Sequence, residues 1–356
     1  MNPPCKRLIL LFGNLIGGLG YNVNITNHVS LNCWQCSTRW PHACQSRRVP
    51  GDVALARGVL VIRRLFLPAL ALVGPLLAAS APRPAEVIAL WGGSAPGSEQ
   101  RSSEPEQLER GAYVHNVHRP SLTVLRPRRE HAQGTAIIIA PGGGHRMLVF
   151  QNEGMAPAKI LNRYGITVFV LRYRLAREPG STYTIERDAA GDARRAVRWV
   201  RAHAAEFGVS PRRIGLMGFS AGGELVSLVA DNPEPGDEVR SDRLARISGR
   251  PDFQVLVYPG PLGIPATDVA HAPPAFIAAG ALDTCCAGPA LTLFQQLQEA
   301  GRAAELHVFS GVGHGFNVGV HDERLSIQHW PDRLADWMSD EGFLNVPHDE
   351  DEPRDP

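Results

Sequence analysis

The sequence lacks an excess of charge of either sign, because 36 basic residues stand against 35 acidic ones. Proteins that bind nucleic acid or anionic membranes through electrostatics carry a basic surplus, which this chain does not have. We therefore predict no nucleic-acid partner and expect a small molecule to be recognised by a local site.

Cysteine is scarce beyond the first 50 residues, which hold four of the six cysteines. This uneven distribution is not typical of a disulfide scaffold. A zinc site around Cys33, Cys36 and Cys44 is disfavoured because no fourth ligand has suitable spacing. The chain also lacks a His-x-x-x-His pair on a predicted helix, and we predict neither a metal nor a cofactor.

The N-terminal region divides into two parts. Residues 1–56 show no sustained helical or strand period, and we interpret them as a non-native or unstructured extension. Residues 57–81 have the parts of a secretory signal peptide: the pair Arg63-Arg64, an apolar run over Leu65–Ala79 and small residues after it. The run is short for a membrane span and contains two prolines. An uncleaved anchor and a buried helix are the alternatives.

This arrangement predicts a secreted or periplasmic protein, or a membrane-anchored one if the signal is not cleaved. After cleavage we expect no stable membrane partner. Because a signal peptide normally lies at the start of a chain, we suspect a start codon assigned too far upstream.

Short apolar runs alternate with helical periodicity over residues 82–345, and an acidic tail, predicted to be disordered, occupies residues 346–356. Alternation of this kind predicts an α/β fold with a mostly parallel, doubly wound sheet flanked by helices in a single domain. Residues 98–111 are predicted to be a loop by composition. The predicted strands include Thr135–Ala140, Ile166–Leu171, Ile214–Phe219, Phe253–Tyr258, Ala275–Ala279 and Ala304–Phe309, and the predicted helices Ala156–Tyr164, Arg187–Phe207 and Leu291–Ala300.

A serine lies where one predicted strand passes directly into a helix. Gly218-Phe-Ser220-Ala-Gly222 has the G-x-S-x-G pattern of a nucleophile elbow, in which a sharp turn exposes the serine hydroxyl. We expect side chains at positions 218 and 222 to be excluded because the helix start must pack closely on the strand. The pentapeptide alone is a weak signal, and its context strengthens it.

A glycine-rich segment, Pro141-Gly-Gly-Gly-His145, follows an earlier buried strand. Consecutive glycines let backbone N–H groups approach a ligand closely, as an oxyanion hole requires. The segment lacks the lysine of a phosphate loop. A plain tight turn is the alternative interpretation.

An acid and then a histidine follow the serine in chain order, each after a predicted strand. Asp283 comes after Ala275–Ala279, and His314 lies between two glycines after the last strand. The order Ser, Asp, His is that of hydrolases with a nucleophile elbow. Asp252 and Asp268 also lie near strand ends and are the alternative acids.

The chain from about Val87 to Trp337 resembles the α/β-hydrolase superfamily, and more narrowly secreted acetyl xylan esterases and feruloyl-esterase-like (BD-FAE-like) esterases. Five stretches carry the resemblance: Ala89-Leu-Trp-Gly-Gly-Ser-Ala-Pro-Gly97, Pro141-Gly-Gly-Gly144, Val170-Leu-Arg-Tyr-Arg174, Gly215-Leu-Met-Gly-Phe-Ser-Ala-Gly-Gly223 and Gly313-His-Gly-Phe316.

The resemblance implies that Ser220 is the nucleophile, that His314 is the general base and then acid, and that Asp283 orients the imidazole. It also implies an oxyanion hole formed by the N–H of Ala221 and one from Gly143 or Gly144. The implied substrate is a short-chain ester or an acetylated carbohydrate. A prolyl-oligopeptidase-like peptidase and a catalytically inactive binding protein of the same fold are the alternative functions.

Two features near these motifs depart from or add to the pattern. His145 stands where relatives often have tyrosine, and we assign it no catalytic role. Cys285 and Cys286 follow the predicted acid, and we favour two small, semi-buried side chains there over a vicinal disulfide.

The signal-peptide prediction is tested by N-terminal sequencing of exported protein. We expect the mature chain to begin shortly after residue 81, because the small residues there match a signal-peptidase site. A mature chain that begins near Met1 would contradict both the signal and the suspected start site.

Overall fold

The computed structural model describes residues 86–232, 242–319 and 322–345. The predicted N-terminal extension, the predicted signal peptide and the acidic tail lie outside the described residues. Within the described ranges, every helix falls short of the length and apolar character that crossing a bilayer requires.

One large sheet organises the described chain, and it contains eight strands in the order β1-β4-β6-β5-β7-β8-β9-β10. The pairs β1 with β4 and β4 with β6 are antiparallel, and all other pairs in this sheet are parallel. The predicted mostly parallel sheet is therefore confirmed. The strands are β1 (Glu86–Ala89), β2 (Gln107–Glu109), β3 (Tyr113–His115), β4 (Ser121–Leu125), β5 (Ala136–Ala140), β6 (Thr167–Arg172), β7 (Ile214–Phe219), β8 (Phe253–Val257), β9 (Ala275–Gly280) and β10 (Ala304–Phe309).

The central strands are apolar on both faces because the sheet is covered on both sides, as parallel sheets in α/β proteins are. Every residue of β5, β7, β8 and β9 is buried. The α-helices of the described residues are α1 (Ala156–Arg163), α2 (Ala190–Ala202), α3 (Ala221–Ala230), α4 (Ala287–Glu299), α5 (Leu325–Gln328) and α6 (Trp330–Asp340).

The predicted helix over 187–207 is divided in the structure. A π-helical turn at Ile185–Ala189 leads into α2, and a 3-10 turn at Ala204–Phe207 follows it. Gly208, with φ 65°, ends the segment in the left-handed conformation that glycine adopts at helix ends. The helix predicted over 291–300 begins earlier, at Ala287, because proline is tolerated in a first helical turn.

The predicted loop over residues 98–111 is wrong in its last part. Strands β2 and β3 form an exposed hairpin there. Three residues, Arg110 to Ala112, join the paired strand ends Glu109 and Tyr113, and Arg110 and Gly111 among them have positive φ of 50° and 67°. The usual Asn-Gly signal is absent, so composition alone did not reveal the turn.

A buried carboxyl group lies at the end of α3. Asp231 is fully buried and accepts a 2.7 Å hydrogen bond from the side-chain amide of Gln254. Burial raises the pKa of Asp231 to about 7, because the loss of water outweighs that hydrogen bond.

We expect Asp231→Asn to change the pH dependence of stability. The raised pKa favours the folded state only while Asp231 is protonated, so the wild type loses stability as pH rises from about 4 to 7. The loss reaches an upper bound of about 4 kcal/mol. Urea unfolding at several pH values should show that the free energy of unfolding of the variant rises relative to that of the wild type between about pH 4 and 7. A constant difference between the two proteins would contradict the prediction.

Candidate active site

The turn from β7 into α3 presents Ser220 with a backbone conformation that is rare for a residue with a side chain. Its φ is 51° and its ψ is −117°. Such conformations persist only where the surroundings enforce them, and they cluster at functional sites. A Cβ at Gly218 would collide with the carbonyl of Gly222, and a Cβ at Gly222 with the carbonyl of Ala140. The expected exclusion of side chains at positions 218 and 222 is confirmed.

The structure brings Ser220, His314 and Asp283 together at one edge of the sheet. This edge holds the carboxyl ends of the parallel strands, where ligands bind in open α/β sheets. The Ser220 Oγ lies 2.9 Å from Nε2 of His314, and Nδ1 of the same ring lies 2.7 Å from Oδ2 of Asp283. The hydroxyl, the imidazole and the carboxylate thus form a continuous hydrogen-bonded line. The catalytic roles of the three residues stay predictions.

The imidazole and the carboxylate of this line differ in exposure. The His314 side chain is 41% exposed, whereas that of Asp283 is 1% exposed. The second oxygen of Asp283 accepts hydrogen bonds from the backbone N–H groups of Cys285 and Cys286, at 3.2 and 3.1 Å. A substrate can therefore reach the imidazole, while the carboxylate is held in place from behind.

Cys285 and Cys286 form a vicinal disulfide, so the favoured interpretation of two separate thiols is wrong. The backbone of both residues is held by Asp283, because their N–H groups donate to one carboxylate oxygen of that residue. The disulfide borders the site, and within the described ranges it makes no contact with Ser220.

Four side chains at this place could in principle hold a metal ion. The ligand atoms of Asp283, Cys285, Cys286 and His314 all lie within 4.8 Å of one another. Metal binding by cysteine requires the thiolate, and here the two sulfur atoms are bonded to each other. The imidazole and the carboxylate are already joined by a hydrogen bond. The group fits a hydrogen-bonded site better than a metal site.

The two acids that the sequence analysis left as alternatives to Asp283 pair with other residues. Asp252 forms an ion pair with Arg201 at 2.9 Å, and Asp268 contacts His271 at 2.7 Å. Neither carboxylate has a contact with His314 among the described residues. The structure therefore selects Asp283 as the acid that meets the imidazole.

The glycine segment after β5 packs directly against Ser220. A Cβ at Gly142 would lie 2.6 Å from the Phe219 carbonyl and 2.9 Å from Cβ of Ser220. Gly143 and Gly144 have φ of 122° and 65°, conformations that favour glycine. The N–H of Gly142 is used in a hydrogen bond to Glu153. Within the described ranges, the N–H groups of Gly143, Gly144 and Ala221 make no hydrogen bond to protein.

A buried pair connects this segment to α3. The fully buried His145 places Nε2 2.8 Å from Oε2 of Glu224, which lies in the first turn of α3. His145 has φ 60°, and its carbonyl accepts the N–H of Arg177. His145 therefore holds the glycine segment against the helix that follows the serine, a contact that the sequence analysis did not foresee.

Two further buried residues border the site and escaped the sequence analysis. Glu153 joins the N–H of Gly142 to the hydroxyl of Tyr258, at 2.8 and 3.0 Å. The rings of Tyr258 and His314 pack edge to face, with their centroids 4.8 Å apart. Glu153 lies in a π-helical turn and Tyr258 directly after β8, and neither position belongs to a motif that marks it as part of a site.

A cavity of about 270 Å³ opens beside the loop that carries His314. Its lining includes Asn152, Asn317, Phe316 and Asp322. Amide groups and an aromatic ring can contact hydroxyl groups and an apolar face of a ligand, respectively.

Comparison with known proteins was consistent across sequence and structure. Residues 122–241 match the family model BD-FAE. Over 130 residues the chain is 36% identical to the acetylxylan esterase of Xylanibacter ruminicola, covering 36% of this chain and 23% of that protein. The chain thus spans about a quarter of that relative's length.

Solved structures extend the likeness over most of the described chain. The acetyl ester-xyloside bifunctional hydrolase from Caldicellulosiruptor lactoaceticus is 27% identical with a TM-score of 0.59, covering 73% of this chain and 98% of that one. Thermogutta terrifontis esterase 2, phosphorylated by paraoxon, is 25% identical with a TM-score of 0.54, covering 68% of this chain and 96% of that one.

The sheet and these relatives together define an α/β-hydrolase fold. Within that class, residues 122–241 are the part that matches BD-FAE. The fold and the resemblance predicted from the motifs are both confirmed.

We expect His145→Ala to destabilise the protein by about 3 kcal/mol, because it leaves the Glu224 carboxylate buried without its main partner. Among the described residues, the Glu224 carboxylate would keep a 3.4 Å hydrogen bond from the N–H of Leu262. Glu224→Gln is the matched control, since its amide oxygen can still accept from His145, and it should cost less. Urea unfolding measures both, and equal stability of His145→Ala and wild type would contradict the prediction.

Proposed function

We propose that the protein is a serine ester hydrolase that acts through an acyl-enzyme and removes short acyl groups, above all acetyl, from a carbohydrate. The observation that carries the proposal is the hydrogen-bonded line from Ser220 Oγ through the His314 ring to Asp283, at 2.9 and 2.7 Å. A serine hydroxyl attacks an ester near neutral pH only if a neighbouring base takes its proton.

In the first half of the reaction, Ser220 Oγ attacks the acyl carbon while its proton passes to Nε2 of His314. The carboxylate of Asp283 holds the Nδ1–H tautomer and stabilises the imidazolium that forms. His314 then gives the proton to the leaving alcohol. In the second half, water attacks the acyl-enzyme by the same route and releases the acid.

The negative oxygen of each tetrahedral intermediate is bound by the N–H of Ala221 and by that of Gly143 or Gly144. Ala221 directly follows Ser220, and the glycine segment packs against Ser220 at Gly142. The three N–H groups have no protein acceptor in the described ranges. One such donor contributes about 3 kcal/mol to the stability of the transition state.

An acetylated carbohydrate is proposed as the substrate on two grounds. The relative from Xylanibacter ruminicola is an acetylxylan esterase, and that from Caldicellulosiruptor lactoaceticus acts on acetyl esters and xylosides by its name. The cavity beside His314 offers amides and an aromatic ring, groups that suit a sugar. On the basis of the signal in residues 57–81, we also propose that the enzyme acts outside the cytoplasm.

We expect Ser220→Ala to lower kcat/KM for p-nitrophenyl acetate and acetylated xylan by at least about a thousandfold, because it removes the nucleophile. An aminoacyl anilide should be a poor substrate for the wild type. In the wild type paraoxon should modify Ser220, as peptide mass spectrometry would show, and the variant should stay unmodified.

His271→Ala is the control, because this exposed histidine contacts only Asp268 among the described residues and lies outside the proposed site. It should keep wild-type activity. Hydrolysis that survives in Ser220→Ala would refute the mechanism, and faster cleavage of the anilide than of the esters would favour a peptidase.

A further inference from the structure

Glu153 is a buried carboxyl group that the proposed mechanism does not use. It lies in the π-helical turn Phe150–Met155, between the glycine segment and α1, and it is 5% exposed. Its Oε2 accepts the N–H of Gly142 at 2.8 Å. Through this bond Glu153 holds the first glycine of the segment that supplies the proposed oxyanion donors.

The other oxygen of Glu153 reaches the opposite side of the site. Oε1 lies 3.0 Å from the hydroxyl of the fully buried Tyr258, whose ring meets the His314 imidazole edge to face. The rings of Phe219 and Phe316 pack against the same tyrosine. The tyrosine ring is thus enclosed, and its hydroxyl is directed at Glu153.

The number of protons at the Tyr258 hydroxyl points to the protonation state of Glu153. The Tyr258 hydroxyl also lies 3.0 Å from Oδ1 of Asn317, so two acceptors surround a hydroxyl with a single proton. Both short contacts are satisfied if Glu153 is protonated. Its O–H then donates to the tyrosine oxygen, and the tyrosine O–H donates to Asn317.

The surroundings of Glu153 favour the neutral form. No Lys or Arg pairs with it among the described residues, and a carboxylate buried without a cation is costly. Burial accordingly raises the pKa of Glu153, although its hydrogen bonds and the nearby His314 act in the opposite direction. The titratable groups that face it are Tyr258, Tyr173 and His314, and Asp283 acts on the same tyrosine.

We propose that Glu153 is a positioning residue that works as a neutral carboxylic acid, linking the oxyanion segment to the tyrosine on which the catalytic imidazole packs. This role rests on the proposed ester hydrolysis. One oxygen accepts from Gly142 and the protonated oxygen donates to Tyr258, so a single side chain sets the positions of both halves of the site.

Ionisation of Glu153 would damage the site in two ways. It would remove the donor to Tyr258, and it would place a negative charge behind the segment that must bind an oxyanion. Because the acid is neutral below its pKa and charged above it, kcat/KM should fall as pH rises through that value.

Glu153→Gln tests the proposal because glutamine copies the protonated acid, with an oxygen that accepts from Gly142 and an NH₂ that donates to Tyr258. We expect kcat for p-nitrophenyl acetate within about twofold of wild type at neutral pH, and loss of the alkaline decline in kcat/KM. Glu153→Ala and Tyr258→Phe should each lower kcat by about tenfold to a hundredfold with little change in KM.

Asp231→Asn provides the matched control. Asp231 is also a buried carboxyl with a raised pKa, and it lies at the far end of α3 from Ser220. The substitution should leave the pH profile of kcat/KM unchanged. Thermal unfolding of each variant reports whether a loss of activity reflects a loss of fold.

Infrared difference spectra test the protonation state without any turnover. The wild type minus Glu153→Gln spectrum should contain the carbonyl band of a protonated carboxyl group at neutral pH. The corresponding difference for Asp231→Asn, recorded below pH 7, should show the band of a second buried acid for comparison.

The outcomes separate the two proposals. If Glu153→Gln is as impaired as Glu153→Ala, or if the carboxyl band is missing, Glu153 is ionised and the inference is overturned. The Asn317 amide would then be rotated so that its NH₂ donates to Tyr258. If the wild type hydrolyses no ester, the proposed function fails, and the infrared band still decides the charge of Glu153.

Discussion

The close packing of the β7–α3 turn against the end of β5 is the constraint on which the site depends. The serine has φ 51°, and the glycines on either side of it leave no room for side chains. Because α3 begins against the carbonyl of Ala140, the glycine segment that follows β5 is necessarily beside Ser220. A single tight contact between backbones thus places the Ser220 hydroxyl next to the glycine segment that contains candidate oxyanion donors.

Three buried carboxyl groups hold the surroundings of this turn, and each has a different set of partners. Asp283 accepts two backbone N–H groups and the His314 imidazole. Glu224 accepts from His145, and Glu153 bridges Gly142 and Tyr258. Asp283 is proposed to be an anion beside an imidazole, whereas Glu153 is proposed to be a neutral acid. The two carboxyl groups differ because their neighbouring hydrogen-bond donors and their loss of water on burial differ.

Much of this arrangement was predictable because its signals are local. Fully buried parallel strands require continuous apolar runs, and the predicted strands agree with β5 to β10 to within one residue at either end. The nucleophile elbow is also local, since the turn demands glycines at fixed offsets. The hairpin at Arg110 and Gly111 was missed because its turn lacks the residues that usually mark one.

The sequence by itself determined the alternation of the central strands with helices and the turn that carries Ser220. It also determined the few acids and histidines that could interact with that serine. Only the tertiary structure decided that Asp283 meets His314, that the two neighbouring cysteines are bonded, and that Glu153 and Tyr258 border the site. The physical reason is distance along the chain. Glu153 and Tyr258 are 105 positions apart in the chain, and only the packing of the whole sheet places their oxygens 3.0 Å from each other.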